Sequence, residues 1–206
     1  MAIADYTVHI VDDEEAVRKS LAFLLSMNGF AVRMHNSATD FLAFAPSISN
    51  GCLVTDLRMP DMSGVELLRA LQAAHAMLPA IVITGHGDVP MAVEAMRAGA
   101  LDFIEKPFED QVLIDAIERA ATQIEETHSA SDDTAAIQAR IRDLTDREQQ
   151  VLAGVVAGHA NKTIAYDLNI SPRTVEVHRA NVMAKMHAKS LPELVRMALA
   201  VKFSPA

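Results

Sequence analysis

Residues 6–11 (YTVHIV), 51–55 (GCLVT) and 80–84 (AIVIT) are short runs of apolar and β-branched side chains without regular polar alternation. A strand with one wet face alternates apolar and polar positions, so these runs read as strands buried on both faces. That is the pattern of a parallel sheet covered by helices on each side. Two more short runs, near 31–35 and 101–105, bring the set to five. A helical segment follows each of them. Val17, Leu21, Leu24 and Leu25 share one face of a helix over 14–27, and Gly29 marks the turn out of it. A helix is expected near 38–45. Ser63 and Glu66 form a capping box that opens a helix over 64–74. Asp88 with Pro90 opens the next, and 109–126 is a long amphipathic helix. Five strand–helix alternations predict an α/β domain with one parallel sheet.

In such sheets, ligands sit beyond the carboxyl ends of the strands. Strand one ends at Asp12 and Asp13, strand three at Asp56, strand four at Thr84, and strand five at Lys106 and Pro107. Three carboxylates, a hydroxyl and an amine are thus expected at one edge. Clustered carboxylates recruit a hard cation, and magnesium, which keeps some of its waters, suits phosphoryl transfer. An aspartate can attack a phosphoryl group to form an aspartyl phosphate. Positioning and charge neutralisation then supply most of the catalysis. Thr84 suits donation to a phosphate oxygen, and Lys106 suits pairing with another. The same pocket would serve an aspartate-nucleophile phosphatase, but the sequence shows no separate cap region for a small substrate. A third reading is a regulatory binding module that works without phosphorylation, and the intact acidic set weighs against it.

The stretches HIVDDEE, LVTDLRMPDMSG, VITGHGD and DFIEKPF carry these residues, and they resemble the receiver domain of two-component response regulators. The resemblance covers about residues 5–126. It implies a flavodoxin-like sheet of order 2-1-3-4-5, with Asp56 as phosphoacceptor. It also implies magnesium (or manganese) bound directly by Asp13, Asp56 and the backbone carbonyl of Arg58, with Asp12 acting through water. Thr84 and Phe103 would form the switch pair, Lys106 would bind the phosphate, and Pro107 would follow a cis peptide bond. Such a protein is a phosphoacceptor switch with at most slow self-dephosphorylation, rather than an enzyme. His86 lies nearby and is assigned no role.

The stretch 127–139 begins with polar and small residues (THSASDDTAA) and is expected to be a linker. Beyond it there is no β-rich run. Thr145 and Glu148 form a second capping box, and Val151, Leu152, Val155 and Val156 follow at helical spacing. Gly158 stops that helix. A short helix over 161–168 comes next. Ser171-Pro172 then starts a helix reaching about Met186, and Ser190 with Glu193 opens a last one over 191–201. Short helices at this spacing fit a helix-turn-helix. On the 172–186 helix, Val175, Val182 and Met186 lie near one face. Arg173, Glu176, Val177, Ala180 and Ala184 lie on the other, a small mixed surface that suits a DNA groove. Lys162, Arg173, Thr174, His178, Arg179 and Lys185 surround it as candidate phosphate contacts, with the His178 ring also placed to pack between helices.

LTDREQQVL and NKTIAYDLNISPRTVEVHRANVMAKM resemble the LuxR-type helix-turn-helix of the NarL/FixJ class over about residues 140–202. The resemblance implies a small all-α, four-helix domain (140–206) that binds double-stranded DNA as a dimer, with the last helix contributing to dimer contacts. At Glu176 many relatives carry Lys or Arg. A glutamate there repels phosphate and accepts from a cytosine amine, so it predicts a different base preference. SLAFLLSMNGF, GHGDVPMAVEAM and SPRTVEVHRANVMAKM point to the FixJ branch of the class. That resemblance implies a transcriptional activator of nitrogen-fixation genes that is phosphorylated by a FixL-like sensor histidine kinase, forms a homodimer when phosphorylated, and works with RNA polymerase.

Charge follows the same division. The net charge of −9 hides an acidic part, 1–126, with 19 acidic and 8 basic side chains, and a basic part, 140–206, with 6 and 10. The single cysteine, Cys52, excludes an intrachain disulfide. No apolar run reaches the roughly 18–20 residues that span a membrane, and the N-terminus lacks the pattern of a secretory signal. A cytoplasmic protein without a membrane partner is expected.

Overall fold

In the computed structural model, β1 (Thr7–Val11), β2 (Ala31–His35), β3 (Gly51–Asp56), β4 (Ala80–Thr84) and β5 (Asp102–Glu105) make one sheet in the order β2-β1-β3-β4-β5. Every neighbouring pair is parallel. The structure describes residues 6–76, 78–85, 88–123 and 130–203. Residues 1–86 with 98–126 form one unit, and residues 87–97 with 127–206 form the other.

The crossovers are α1 (Glu15–Met27), α2 (Ala38–Phe44) with a 3-10 turn at Ala45–Ser47, α3 (Gly64–Ala73), α4 (Val89–Arg97) and, after β5, α5 (Asp110–Gln123). The fully apolar runs are the central strands, and β3 and β4 are buried along almost their whole length. β2 and β5 are the edge strands, and β2 is largely exposed. Val8, Ile10, Cys52, Val54, Ile81, Ile83 and Ile104 alternate onto one face of the sheet, where Leu21 and Leu25 of α1 and Leu113 and Ile117 of α5 pack on them. Gly29, at φ +84°, ends α1 in the left-handed region that favours glycine. Chain order reverses at β1, with β2 on one side and β3 on the other, so the crevice for a ligand opens beyond the ends of β1 and β3.

The second unit contains α6 (Ala130–Arg142), α7 (Asp146–Val156), α8 (Asn161–Leu168), α9 (Pro172–Met186) and α10 (Leu191–Ala200). Ser171 and Ser190 cap α9 and α10, each with proline in the first turn, and the Thr145–Glu148 capping box opens α7. Leu152, Val156, Val182, Met186, Leu194 and Ala198 form the core. Asn169, at φ 54°, ends α8, and α9 begins at Pro172.

The segment expected to be a linker carries a helix that the sequence pattern did not predict: the chain is helical from Ala130, and α6 runs to Arg142. Its polar composition hides the signal, because only Ile137 and Ile141 supply an apolar stripe. Ile137 joins the helical core with Ile141 against it, and Arg140 Nη1 donates to the Met186 carbonyl at 3.3 Å.

Candidate functional site

The first site lies where β1, β3, β4 and β5 end. Asp12 follows the buried end of β1 and is itself only 3% exposed. Its Oδ1 accepts from the Glu14 N–H at 2.8 Å, and its carbonyl accepts from Arg18 Nη1 at 2.6 Å, which ties the start of α1 to the strand. Asp56 closes β3, and its Oδ2 accepts from the Arg58 N–H at 2.6 Å. Lys106 joins the two carboxylates. Its Nζ donates to Asp56 Oδ1 at 3.1 Å and to Asp12 Oδ2 at 3.3 Å. The Lys106 N–H donates to the Thr84 carbonyl at 2.7 Å, which fixes the lysine beside the end of β4. Thr84 is buried. Phe103, half-buried on β5, is in register with Val82. The Lys106–Pro107 peptide bond is cis. Asp13 and Arg58 are exposed, and His86 lies outside the described residues.

Burial pushes the Asp12 carboxyl above its usual range. The Glu14 N–H and Lys106 oppose that rise, and the neighbouring charge of Asp56 adds to it. Two carboxylates facing one half-buried ammonium form a site that already stabilises positive charge between them. Among the described residues, no group of three or more His, Cys, Asp or Glu side chains closes into a cage. Magnesium does not need one. It is held by one or two carboxylates and keeps several waters, so an all-oxygen pair at a crevice fits it.

Two supports of this site were not legible in the sequence. A Cβ on Gly64 would lie 2.5 Å from the Asp56 carbonyl oxygen, so the start of α3 packs directly on the backbone of the aspartate. Asp61, in the same loop, accepts from the Thr39 N–H at 2.9 Å and from its hydroxyl at 2.8 Å, which anchors the loop to α2.

The second site is the surface of α9. Val175, Val182 and Met186 are buried, and Arg173, Glu176, Val177, Ala180 and Ala184 are exposed, as helical spacing requires. Lys162 is exposed on α8. The surrounding candidates differ from one another. The Thr174 hydroxyl lies 2.8 Å from that of Ser171, within the cap of α9. His178 is half-buried, and its Nδ1 is enclosed without a hydrogen-bond partner among the described residues. Lys185 is not a free cation, because Nζ donates to Glu148 Oε2 at 2.7 Å. Arg179 Nη1 donates to Asn161 Oδ1 at 2.8 Å. Burial lowers the Arg179 pKa, and Glu176 opposes that shift. Asn161 had no signal in the sequence, since it meets Arg179 only when α8 and α9 pack.

Comparison with known proteins finds a match over each of the two regions that carry these residues. The family model described as the response regulator receiver domain matches residues 8–118. The model described as bacterial regulatory proteins, luxR family, matches residues 142–198. The chain is 71% identical over 204 residues to the transcriptional regulatory protein FixJ of Rhizobium meliloti, covering 99% of this chain and all of that one. It is 56% identical to FixJ of Azorhizobium caulinodans, covering 97% and 94% of the two chains. A crystal structure of full-length FixJ from B. japonicum is 48% identical, covers 95% of this chain and 97% of that one, and superposes with a TM-score of 0.57. Among the described residues, no helix is long and apolar enough to cross a membrane.

Proposed function

The chain belongs to the response regulators that join a receiver domain to a luxR-family DNA-binding domain, and from that premise we propose that Asp56 accepts a phosphoryl group from a sensor histidine kinase. The observation that carries this reading is the placement of the Lys106 amine 3.1 Å from Asp56 and 3.3 Å from Asp12. An Asp56 oxygen attacks the phosphorus, and the bond from phosphorus to the kinase imidazole nitrogen breaks. The displaced nitrogen regains its lone pair, and the product is an aspartyl phosphate. Asp13, Asp56 and the Arg58 carbonyl would hold magnesium or manganese, with Asp12 through water. That ion supplies neutralisation of charge on the transferring oxygens. Lys106 moves from pairing two carboxylates to pairing a phosphate oxygen. Thr84 donates to a second oxygen, and Phe103 turns inward to fill the space the threonine leaves. Moving a switch from 1:99 to 99:1 takes about 5.5 kcal/mol of differential stabilisation, a scale that several charge-assisted hydrogen bonds reach together.

In this reading residues 1–126 are the receiver, 127–139 join the parts, and 140–206 bind double-stranded DNA. Phosphorylation promotes a homodimer that activates transcription by RNA polymerase in the cytoplasm. The identity to FixJ makes nitrogen-fixation genes the proposed target and a FixL-like kinase the proposed phosphodonor.

The test treats the full chain with acetyl phosphate and magnesium and maps the acyl phosphate by mass spectrometry. One phosphate on Asp56, absent from Asp56→Asn, is expected. Labelling elsewhere, or steady turnover of many phosphate esters, defeats the proposal.

A further inference from the structure

We infer that Asn161 is a positioning residue for DNA binding, which holds Arg179 in place without cancelling its charge; the inference rests on the DNA-binding reading above. Arg179 sits on the border between the buried stripe of α9 and its exposed face, and it is half-buried. Asn161 is the first residue of α8. The 2.8 Å bond from Arg179 Nη1 to Asn161 Oδ1 therefore joins the two helices of the helix-turn-helix across 18 residues of sequence.

The chemistry of the acceptor is what matters. A guanidinium carries five N–H donors, and one bond to an amide leaves the remaining fork and the whole positive charge available. Lys185, on the same helix, shows the contrast. Its ammonium is bonded at 2.7 Å to the carboxylate of Glu148, so its charge is offset within the protein. An amide at position 161 fixes a cation as firmly as geometry requires but leaves it unneutralised. Arg179 also lies one turn beyond the exposed Glu176. A free arginine would sample many rotamers and lose that freedom on binding.

The experiment measures binding of the full chain, with acetyl phosphate and magnesium present, to sheared mixed-sequence duplex DNA between roughly 50 and 200 mM salt. Arg179→Ala is expected to reduce the salt slope by about 1. Asn161→Ala is expected to weaken binding about 3- to 10-fold when Arg179 is present, and less than about 2-fold in the Arg179→Ala background, the non-additivity of a coupled pair. Asn161→Asp keeps an acceptor and offsets the charge. It is expected to melt no lower than the parent protein while reducing the salt slope by about 1. This second variant keeps the test decisive where Asn161→Ala fails to fold. A merely structural role predicts that Asn161→Asp binds DNA as the parent does, and that result overturns the inference. An equal loss for Asn161→Ala with and without Arg179 also overturns it. If Arg179→Ala leaves the salt slope unchanged, the phosphate role of Arg179 falls and the inference falls with it. If Arg179→Ala lowers the slope and the Asn161 variants do nothing, the inference falls alone.

Discussion

Lys185 Nζ lies 2.7 Å from Glu148 Oε2, and the same oxygen accepts the Thr145 N–H at 2.8 Å. One carboxylate therefore closes the capping box at the start of α7 and ties that turn to the end of α9. These contacts hold the Glu148 carboxyl below its usual range, with the Lys185 bond as the largest cause. A carboxyl whose folded pKa is depressed contributes stability above its unfolded pKa, and that contribution disappears as pH falls through the folded value. The C-terminal helices should accordingly lose stability as pH falls below about 4.3, the ordinary glutamate range. Glu148→Gln keeps a cap acceptor but loses the charge. It should lower stability by about 1 kcal/mol at pH 7 and flatten the acid limb. Urea unfolding at several pH values, followed by circular dichroism, measures both, and an unflattened acid limb would remove this role.

A buried histidine pair gives the sheet a separate acid sensitivity. His9 Nδ1 lies 3.1 Å from His35 Nε2, and Phe41 and Phe44 pack around both rings. Burial lowers the His9 pKa to about 4, with His35 and Arg33 adding to the effect. Burial lowers that of His35 too, against the pull of Asp40. Between pH 6.5 and about 4, the unfolded chain binds a proton that folded His9 refuses, so stability falls through that window. At roughly 1.4 kcal/mol per pKa unit, the loss is about 3 kcal/mol. His9→Gln should show a shallower decline in melting temperature across the same window. A variant whose decline matches that of the parent protein rules out His9 as the source.

These relationships also mark where sequence reading stops. The central strands were legible because β3 and β4 are buried on both faces, and burial leaves a continuous apolar run. The acidic site was legible because Asp12, Asp56 and Lys106 directly follow such runs, and parallel topology carries all their ends to one edge. His9 and His35 meet only because β1 pairs with β2. Glu148 with Lys185, and Asn161 with Arg179, depend on helix packing that no local pattern encodes. Nothing near Lys185 in the sequence points to its carboxylate partner, 37 residues away. α6 escaped notice because two isoleucines are a weak stripe among polar and small residues.

Gly64 should be as necessary to phosphorylation as its position implies. Any side chain there meets the Asp56 carbonyl at 2.5 Å and Leu57 Cα at 3.2 Å, and both are backbone atoms that cannot rotate away. Gly64→Ala must shift the strand end that carries Asp56. Overpacking of this kind lowers stability by about 1–3 kcal/mol. Labelling by acetyl phosphate should slow in parallel. A variant that melts lower but labels at the parent rate would separate the glycine's structural role from the site.

Divalent cation binding should stabilise the receiver through its carboxylates. Magnesium at about 100 times its dissociation constant adds about 2.7 kcal/mol if it binds only the folded state. The melting temperature of the full chain should rise on adding magnesium and return on chelation. Asp13→Asn and Asp56→Asn should each reduce the rise, because each removes a carboxylate charge from the proposed ligand set. An equal rise in both variants would place the bound ion elsewhere.

Glu176 and Arg173 share the exposed face of α9, and their opposite charges predict different kinds of loss. A phosphate contact is indifferent to sequence, so Arg173→Ala should weaken binding to all duplexes and reduce the salt slope by about 1. A carboxylate near base edges accepts from a cytosine amine and repels phosphates. Glu176→Ala should therefore raise affinity for mixed-sequence DNA slightly while changing which sites are selected from a random duplex library. Discrimination at a contacted base is worth about 1–3 kcal/mol, so the selected motif should degrade at one or two positions rather than throughout. An unchanged motif for Glu176→Ala, with the salt slope altered instead, would make the glutamate a purely electrostatic element of the α9 surface.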